Sequence, residues 1–239
     1  LNPTLSASEV DAVVAKVAGY GHQSLIDGNR EVYDWLRNGV PLERTASDGR
    51  REVLRVPVVH STGHNDLLAV RQFTVQGAKL GRPDIVLFVN GRQLGVIELK
   101  NPADLNADYV SAWNQIQAYK AQIPQLFWFN LLNVSSDGTV ARYGSLSADL
   151  SRHSRWRLLD GKKVDKAQLE LEVLIRGLLA HLDLPQLPVG ILCGGVQHLD
   201  EQLLGGKVGA AGRGQIAAPG QQLHGAVVDL LIAAHGVLH

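Results

Sequence analysis

The chain has 239 residues, with 23 basic and 23 acidic side chains, a formal net charge of +0 and 45% hydrophobic residues. A chain of this length buries roughly 70–75% of its unfolded surface, which is enough for one large domain or for one domain with an appendage. The balance of charge excludes attraction to nucleic acid through net charge, so any such contact must be a local patch or come from partners.

One cysteine, Cys193, rules out an internal disulfide and a Cys-rich zinc site, and it fits a reducing cytoplasm. No apolar run approaches the roughly 20 residues of a membrane span, and the start lacks a signal-peptide pattern. There is no methionine, even at position 1. A trimmed start and an alternative start codon read as Leu both remain open.

Ser6 and Glu9 form an S-x-x-E capping box ahead of the apolar positions Val10, Val13, Val14 and Val17, so a short helix is predicted to end near Gly19. A second helical piece runs from about Asn29 to Arg37 and ends at Gly39-Val40-Pro41. Glu9 and Glu31 are carboxylates on these helices; a cap and a solvated helix face account for them better than a metal site does. Arg44 to Arg51 reads as polar turn, followed by two predicted strands, Glu52–Val59 and Ala69–Gln76, with partial alternation. His60, His64 and Asp66 lie between them with Gly63 and Asn65, in a loop and not on the helix that makes H-x-x-x-H a good ligand pair. Arg71 and Gln72 precede the next strands, as phosphate contacts or as residues of an exposed strand face.

The stretch from Gly81 to Pro102, GRPDIVLFVNGRQLGVIELKNP, reads as a hairpin turning at Asn90-Gly91. Asp84 stands at its entrance and Glu98 and Lys100 at its exit, so folding back gathers three ionisable groups at one end. Two carboxylates there suit Mg²⁺, which one or two carboxylates usually hold while several waters remain. A neighbouring lysine can orient an attacking water or offset phosphoryl charge. Side-chain parity adds a condition. A regular two-residue turn pairs Asp84 with Ile97 and sends Glu98 to the opposite face, so a three-residue loop or a bulge is predicted.

Pro83-Asp84 followed by Glu98-Leu99-Lys100 resembles the PD-(D/E)xK nuclease signature. The wider phrase, continuing into AWNQIQAYKAQIPQLFWFN and SSDGTVARYGSL, is similar to the amino-terminal endonuclease domain of the type I restriction enzyme R subunit. The resemblance runs from about the first helix to near Leu179. It implies an α/β, restriction-endonuclease-like mixed sheet flanked by helices, with Mg²⁺-dependent cleavage of double-stranded DNA. It also implies partnership with modification (methyltransferase) and specificity subunits. Asp84 and Glu98 would hold the metal, the Ile97 or Leu99 carbonyl could add an oxygen, and Lys100 would steer the water. The alternative is a catalytically inactive docking or DNA-binding module with the same fold.

Lys79, Arg82 and Lys100 are the only local excess of positive charge near the motif; Lys79 and Arg82 are phosphate contacts or solvated loop charges. Ala107 to Gln122 is a predicted helix that puts Gln115 and Tyr119 on one face. The resemblance implies that this Q-x-x-x-Y pair lines the nuclease site, Gln115 bonding DNA or a water of the metal's shell and Tyr119 bounding the pocket. Leu126 to Ser135 reads as a long apolar strand, returning through Ser136-Asp137-Gly138 into Thr139–Leu146, with Trp128 and Tyr143 as packing residues. Ser151 to Lys163 reads as a basic connector presenting Trp156 at the surface, and Val164 to Leu182 as an amphipathic helix.

A nuclease domain is thus expected over 1–184. A Gly-rich tail over 185–239 is expected to behave as linker, apart from one short apolar helix between Leu223 and Leu238. In the resembled family an ATP-dependent motor follows the nuclease domain. No G-x-x-x-x-G-K-[ST] occurs here, because Gly206-Lys207 lacks both the upstream Gly and the following Ser or Thr, so no ATP site is assigned. A shifted reading frame, truncation or a divergent end would each explain this. His181, His198, His224, His235 and His239 lack ligand spacing.

Overall fold

The computed structural model describes residues 2–21, 24–46, 48–59, 65–101, 104, 107–159, 162–163 and 169–182. The expectations for His60, His64, Cys193 and the 185–239 tail lie outside these residues.

Local chemistry sets the first elements. Helix α1 (Ala7–Ala18) starts at the predicted capping box: the Glu9 N–H donates to Ser6 Oγ and the Ser6 N–H to Glu9 Oε2, and the helix stops at Gly19. Helix α2 (Leu25–Asn38) begins earlier than its apolar pattern suggests, because the Ser24 side chain caps it by accepting from the Asp27 N–H. It ends at Gly39, whose φ of 86° and backbone contact with Val56 leave no place for a side chain. Strand β1 (Val40–Thr45) then pairs antiparallel with β2 (Arg51–Val56) as a ribbon of its own, where the sequence reads a polar turn up to Arg51. Val40 and Val56 face each other in register and are buried, which anchors the ribbon to the core.

The main sheet has five strands. β3 (Leu67–Arg71) is its edge; the chain then breaks away through the short pair β4 (Val75–Gln76) and β5 (Leu80–Gly81). It rejoins the sheet as β6 (Ile85–Val89) and β7 (Arg92–Leu99), and helix α3 (Tyr109–Gln122) leads to β8 (Leu132–Ser136) and β9 (Ala141–Gly144). The strand order is β3-β6-β7-β8-β9, antiparallel except for the parallel β7–β8 pair, across which α3 is the crossover. The small pair β10 (Leu158–Leu159) and β11 (Lys162–Lys163) follows, and then helix α4 (Glu170–Leu182).

Alternation along the strands divides the core in two. Val86 and Val96 pack with Ile116, Tyr119 and Ile123 from α3 and its end. Ile85, Ile97, Leu132 and Val134 face the other way, onto apolar residues of α1, α2 and α4. The result is the predicted α/β mixed sheet flanked by helices.

Two further local expectations are corrected. Leu126 to Ser135 is not one strand: Pro124–Phe127 form a 3₁₀ turn and the strand begins only at Leu132. Pro124 opens that turn, and Leu126 and Phe127 fill the α3 side of the core while Phe129 and Leu131 fill the other. Trp156 is not a surface contact. It is buried, its indole N–H donates to the Leu158 carbonyl, and its ring packs on Tyr143 and against Gly177 of α4. A methyl group at Gly177 would overlap the indole. Gly177→Ala is therefore expected to destabilise the chain by about 1–3 kcal/mol, read as a lowered thermal midpoint, although alanine is the better helix former.

Candidate active site

The β6–β7 hairpin carries the site, and its register decides what the site can be. Asn90 and Gly91 both have left-handed backbones (φ 50° and 75°) and form a two-residue turn with Val89 opposite Arg92. A regular ladder from that turn would put Asp84 and Glu98 on opposite faces. The ladder is not regular: Phe88 pairs with Gln93 and Leu87 with Gly95, which leaves Leu94 as an extra residue on β7. Beyond this bulge Ile85 is opposite Ile97, so Asp84 comes opposite Glu98. The parity condition is thus met by a bulge and not by a longer loop. Leu94 is buried in the core, and its carbonyl accepts from the Leu131 N–H at 2.9 Å.

At the open end of the hairpin the three motif side chains meet. The Asp84 N–H points at Glu98 Oε2 (3.4 Å), and the Lys100 ammonium donates to Glu98 Oε1 (3.1 Å). Asp84 is gripped at both oxygens, with Oδ1 accepting from the Gln72 side-chain amide (2.6 Å) and Oδ2 from the Leu99 N–H (2.9 Å). Glu98 is 4% exposed, whereas the Lys100 side chain, at 24%, reaches the surface. Burial, and then the charge of Asp84, push the Glu98 carboxyl up to about 7, and Lys100 offsets only part of this. On the parallel side Ser135, fully buried, is the register partner of Glu98.

Helix α3 covers this end. An Asp108 capping box with Ser111 starts the helix, and Tyr119, on one face with Gln115, lies within reach of the charges of Glu98 and Asp84. The Tyr119 hydroxyl donates to the Arg82 carbonyl (3.1 Å), two residues before Asp84, and is also bonded by the Gln115 side chain. Burial, with the nearby charges of Glu98 and Asp84, pushes the phenol up to about 12, so it is a neutral donor. The Arg82 and Lys79 side chains are exposed on the segment leading into Asp84, and Arg71 is exposed at the end of β3.

The remaining candidates are elsewhere. Glu9 is spent on its helix cap and on Arg44, and Glu31 accepts from the Tyr20 hydroxyl. Neither joins the motif carboxylates. Lys120 lies on a different flank of α3, donating to the Leu146 carbonyl and to Gln117, and burial pushes it down to about 8. The residue that sequence reading missed is Gln72, weighed as a phosphate contact or an exposed strand residue, which instead holds Asp84.

Among the described residues no group of three or more His, Cys, Asp or Glu side chains gathers into a metal cluster. A divalent ion would therefore rest on the Asp84–Glu98 pair. The donor chemistry fits one: the oxygens are hard, one carboxyl is buried beside the charge of the other, and two carboxylates are the usual protein share for Mg²⁺. No helix among the described residues is long and apolar enough to cross a membrane.

Comparison with known proteins identifies the family. The type I restriction enzyme HindI endonuclease subunit of Haemophilus influenzae is 40% identical over 191 residues, 77% of this chain and 18% of that protein. The protein named as the type I restriction enzyme MjaIXP endonuclease subunit of Methanocaldococcus jannaschii is 28% identical over 162 residues, 65% of this chain and 15% of that protein. The chain thus spans under a fifth of the length of these relatives. The family model for the type I restriction enzyme R protein N terminus matches residues 1–152, which carry the whole of the carboxylate site, and the chain belongs to that family.

Proposed function

We propose that this chain carries the DNA-cleaving centre of a type I restriction system. It would hydrolyse phosphodiester bonds of double-stranded DNA with Mg²⁺, in a complex with modification and specificity subunits. The observation that carries this reading is the bulge that sets Asp84 opposite Glu98 with the Lys100 ammonium alongside. The names of the relatives support the restriction setting.

Asp84 and Glu98 hold Mg²⁺, which when bound polarises a phosphoryl oxygen and makes a water more acidic. Lys100 is tied to Glu98 in the free chain. Its ammonium, partly exposed beside the carboxylates, would face the attacking water and the phosphoryl oxygens of a bound strand. Tyr119 fixes the Arg82-Pro83-Asp84 backbone, and Gln115 beside it offers an amide to the DNA. Arg82, with Lys79, contacts phosphates, a positioning role without sequence reading. Sequence choice would belong to the specificity subunit, and ATP to the motor region of the family. A docking module with the same fold would need no carboxylate-dependent cation binding.

Isothermal titration of the 239-residue chain with Mn²⁺ or Mg²⁺ is expected to show binding that Asp84→Ala and Glu98→Ala each abolish; binding unchanged in both would leave the docking reading. Asp84→Ala, Glu98→Ala and Lys100→Ala are each expected to abolish cleavage with the fold intact. This is read by DNA cleavage in the enzyme assembled with its modification and specificity subunits and by circular dichroism; full activity in any variant refutes that residue's role.

A third expectation follows from the Glu98 shift. Its folded-state carboxyl titrates near 7 against an ordinary value of 4.5, so the folded chain holds a proton that the unfolded chain has lost between those values. The resulting stabilisation is full below pH 4.5 and lost as pH rises through 7. Without divalent ions, Glu98→Gln should melt with the parent chain at pH 5 but higher at pH 8, by about 2–4 °C for each kcal/mol relieved.

A further inference from the structure

Strand β3 ends at Arg71 and the next residue turns the chain out of the sheet. Gln72 does so with φ 52°, in the left-handed region that a long side chain rarely adopts. Among the described residues the other non-glycine there is Asn90, where the tight β6–β7 turn demands it. No two-residue hairpin demands it at Gln72. The chain departs on an excursion through β4 and β5 and returns only at Asp84. At the root of that excursion the Gln72 N–H donates to the Asp84 carbonyl at 2.8 Å, and the Gln72 amide nitrogen donates to Asp84 Oδ1 at 2.6 Å.

The bond to Oδ1 completes a two-sided grip. Leu99, on the opposite strand, donates its N–H to Oδ2. A carboxylate held at one oxygen can swivel about its last torsion, and the neighbouring charge of Glu98 favours swinging away. Held at both, its plane is fixed with lone pairs left over, since an ionised carboxylate has about four acceptor sites. The chemical type of the donor matters as well. Arginine or lysine at this position would neutralise Asp84 and weaken its pull on a cation, whereas an amide orients the carboxylate and leaves its charge in place. Backbone strain kept at a single point beside a candidate site is the pattern expected where orientation is the return.

We propose that Gln72 is the positioning residue of the cation site: its left-handed backbone aims a neutral amide that fixes the Asp84 carboxylate for the divalent ion. The inference rests on reading Asp84 and Glu98 as that ion's ligands. Two substitutions separate positioning from structure. Gln72→Gly relieves the backbone and removes the amide. Gln72→Asn tolerates the left-handed conformation but carries its amide on a side chain one methylene shorter, out of reach of Oδ1.

The test is Mn²⁺ titration of the full chain, with the thermal midpoint of each metal-free variant measured alongside. Both variants are expected to melt at or above the parent midpoint yet bind Mn²⁺ about 10- to 100-fold more weakly, the usual effect of losing a group that orients a metal ligand. Parent-like affinity in a folded Gln72→Gly or Gln72→Asn chain, while Asp84→Ala abolishes binding, overturns the role of Gln72 and leaves the carboxylate site standing. A parent chain that shows no Asp84-dependent binding overturns both. A lowered midpoint with unchanged affinity would make Gln72 a structural residue only, and that too refutes the proposal.

Discussion

The site depends on two carboxylates being kept close when their charges oppose it. Left to themselves, a buried Glu98 and an adjacent Asp84 would separate, or one would stay protonated. What holds them is chiefly backbone, with Lys100 only a partial counter-charge to Glu98. One extra residue, Leu94, shifts the β6–β7 ladder by a single step, and the ladder beyond it is pinned by the parallel pairing to β8. The bulge is itself held because the Leu94 side chain is buried and its carbonyl bonds Leu131. The hydrophobic core thereby sets the electrostatics of the site, through the geometry of one strand.

The supporting groups follow the same logic of neutrality. Gln72, the Leu99 amide, Gln115 and the Tyr119 phenol are uncharged donors around the acidic pair, and among the described residues Lys100 is the one cation bonded to it. An ensemble of neutral dipoles orients acidic oxygens while preserving their field, whereas ion pairs would consume it. Elsewhere in the domain carboxylates are treated in the opposite way: Glu170 is matched by Arg142 and Arg155, and Asp34 by Arg55. The contrast separates acids that hold the fold together from acids kept available.

Much of this was legible in the sequence because the signals were local. The S-x-x-E box, the Asn-Gly turn and the helical period from Tyr109 to Tyr119 each report on residues within one or two turns, and the shared parity of Asp84 and Glu98 itself calls for an irregularity. What was not legible required distant partners. Val40–Thr45 carries Pro41, Glu43 and Arg44 and looks like turn until Arg51–Val56 pairs with it. The apolar run around Phe127 and Trp128 has no period that tells strand from turn, and Pro124 decided it by opening a 3₁₀ turn. Trp156 is flanked by basic residues and is buried only because Gly177 leaves a space in a helix. Gln72 offered no sign of its left-handed backbone, since nothing in its neighbours marks one.

The excursion between Gln72 and Asp84 is more firmly built than a surface loop. Gly77 and Gly81 lie directly against Gln122 and Ile123 with no room for a side chain, the Ala78 N–H donates to the Gln122 carbonyl, Gln125 donates to the Gln76 carbonyl, and Tyr119 ties down Arg82. Lys79 and Arg82 therefore stand on a ledge welded to the end of α3. For a duplex drawn across such a ledge, the compliant body is the duplex. If DNA is cut here as proposed, fit at the scissile bond would come from bending or unwinding of the nucleic acid, and the ease of that deformation, which varies with base step, would grade one stretch of DNA against another without a single base being touched.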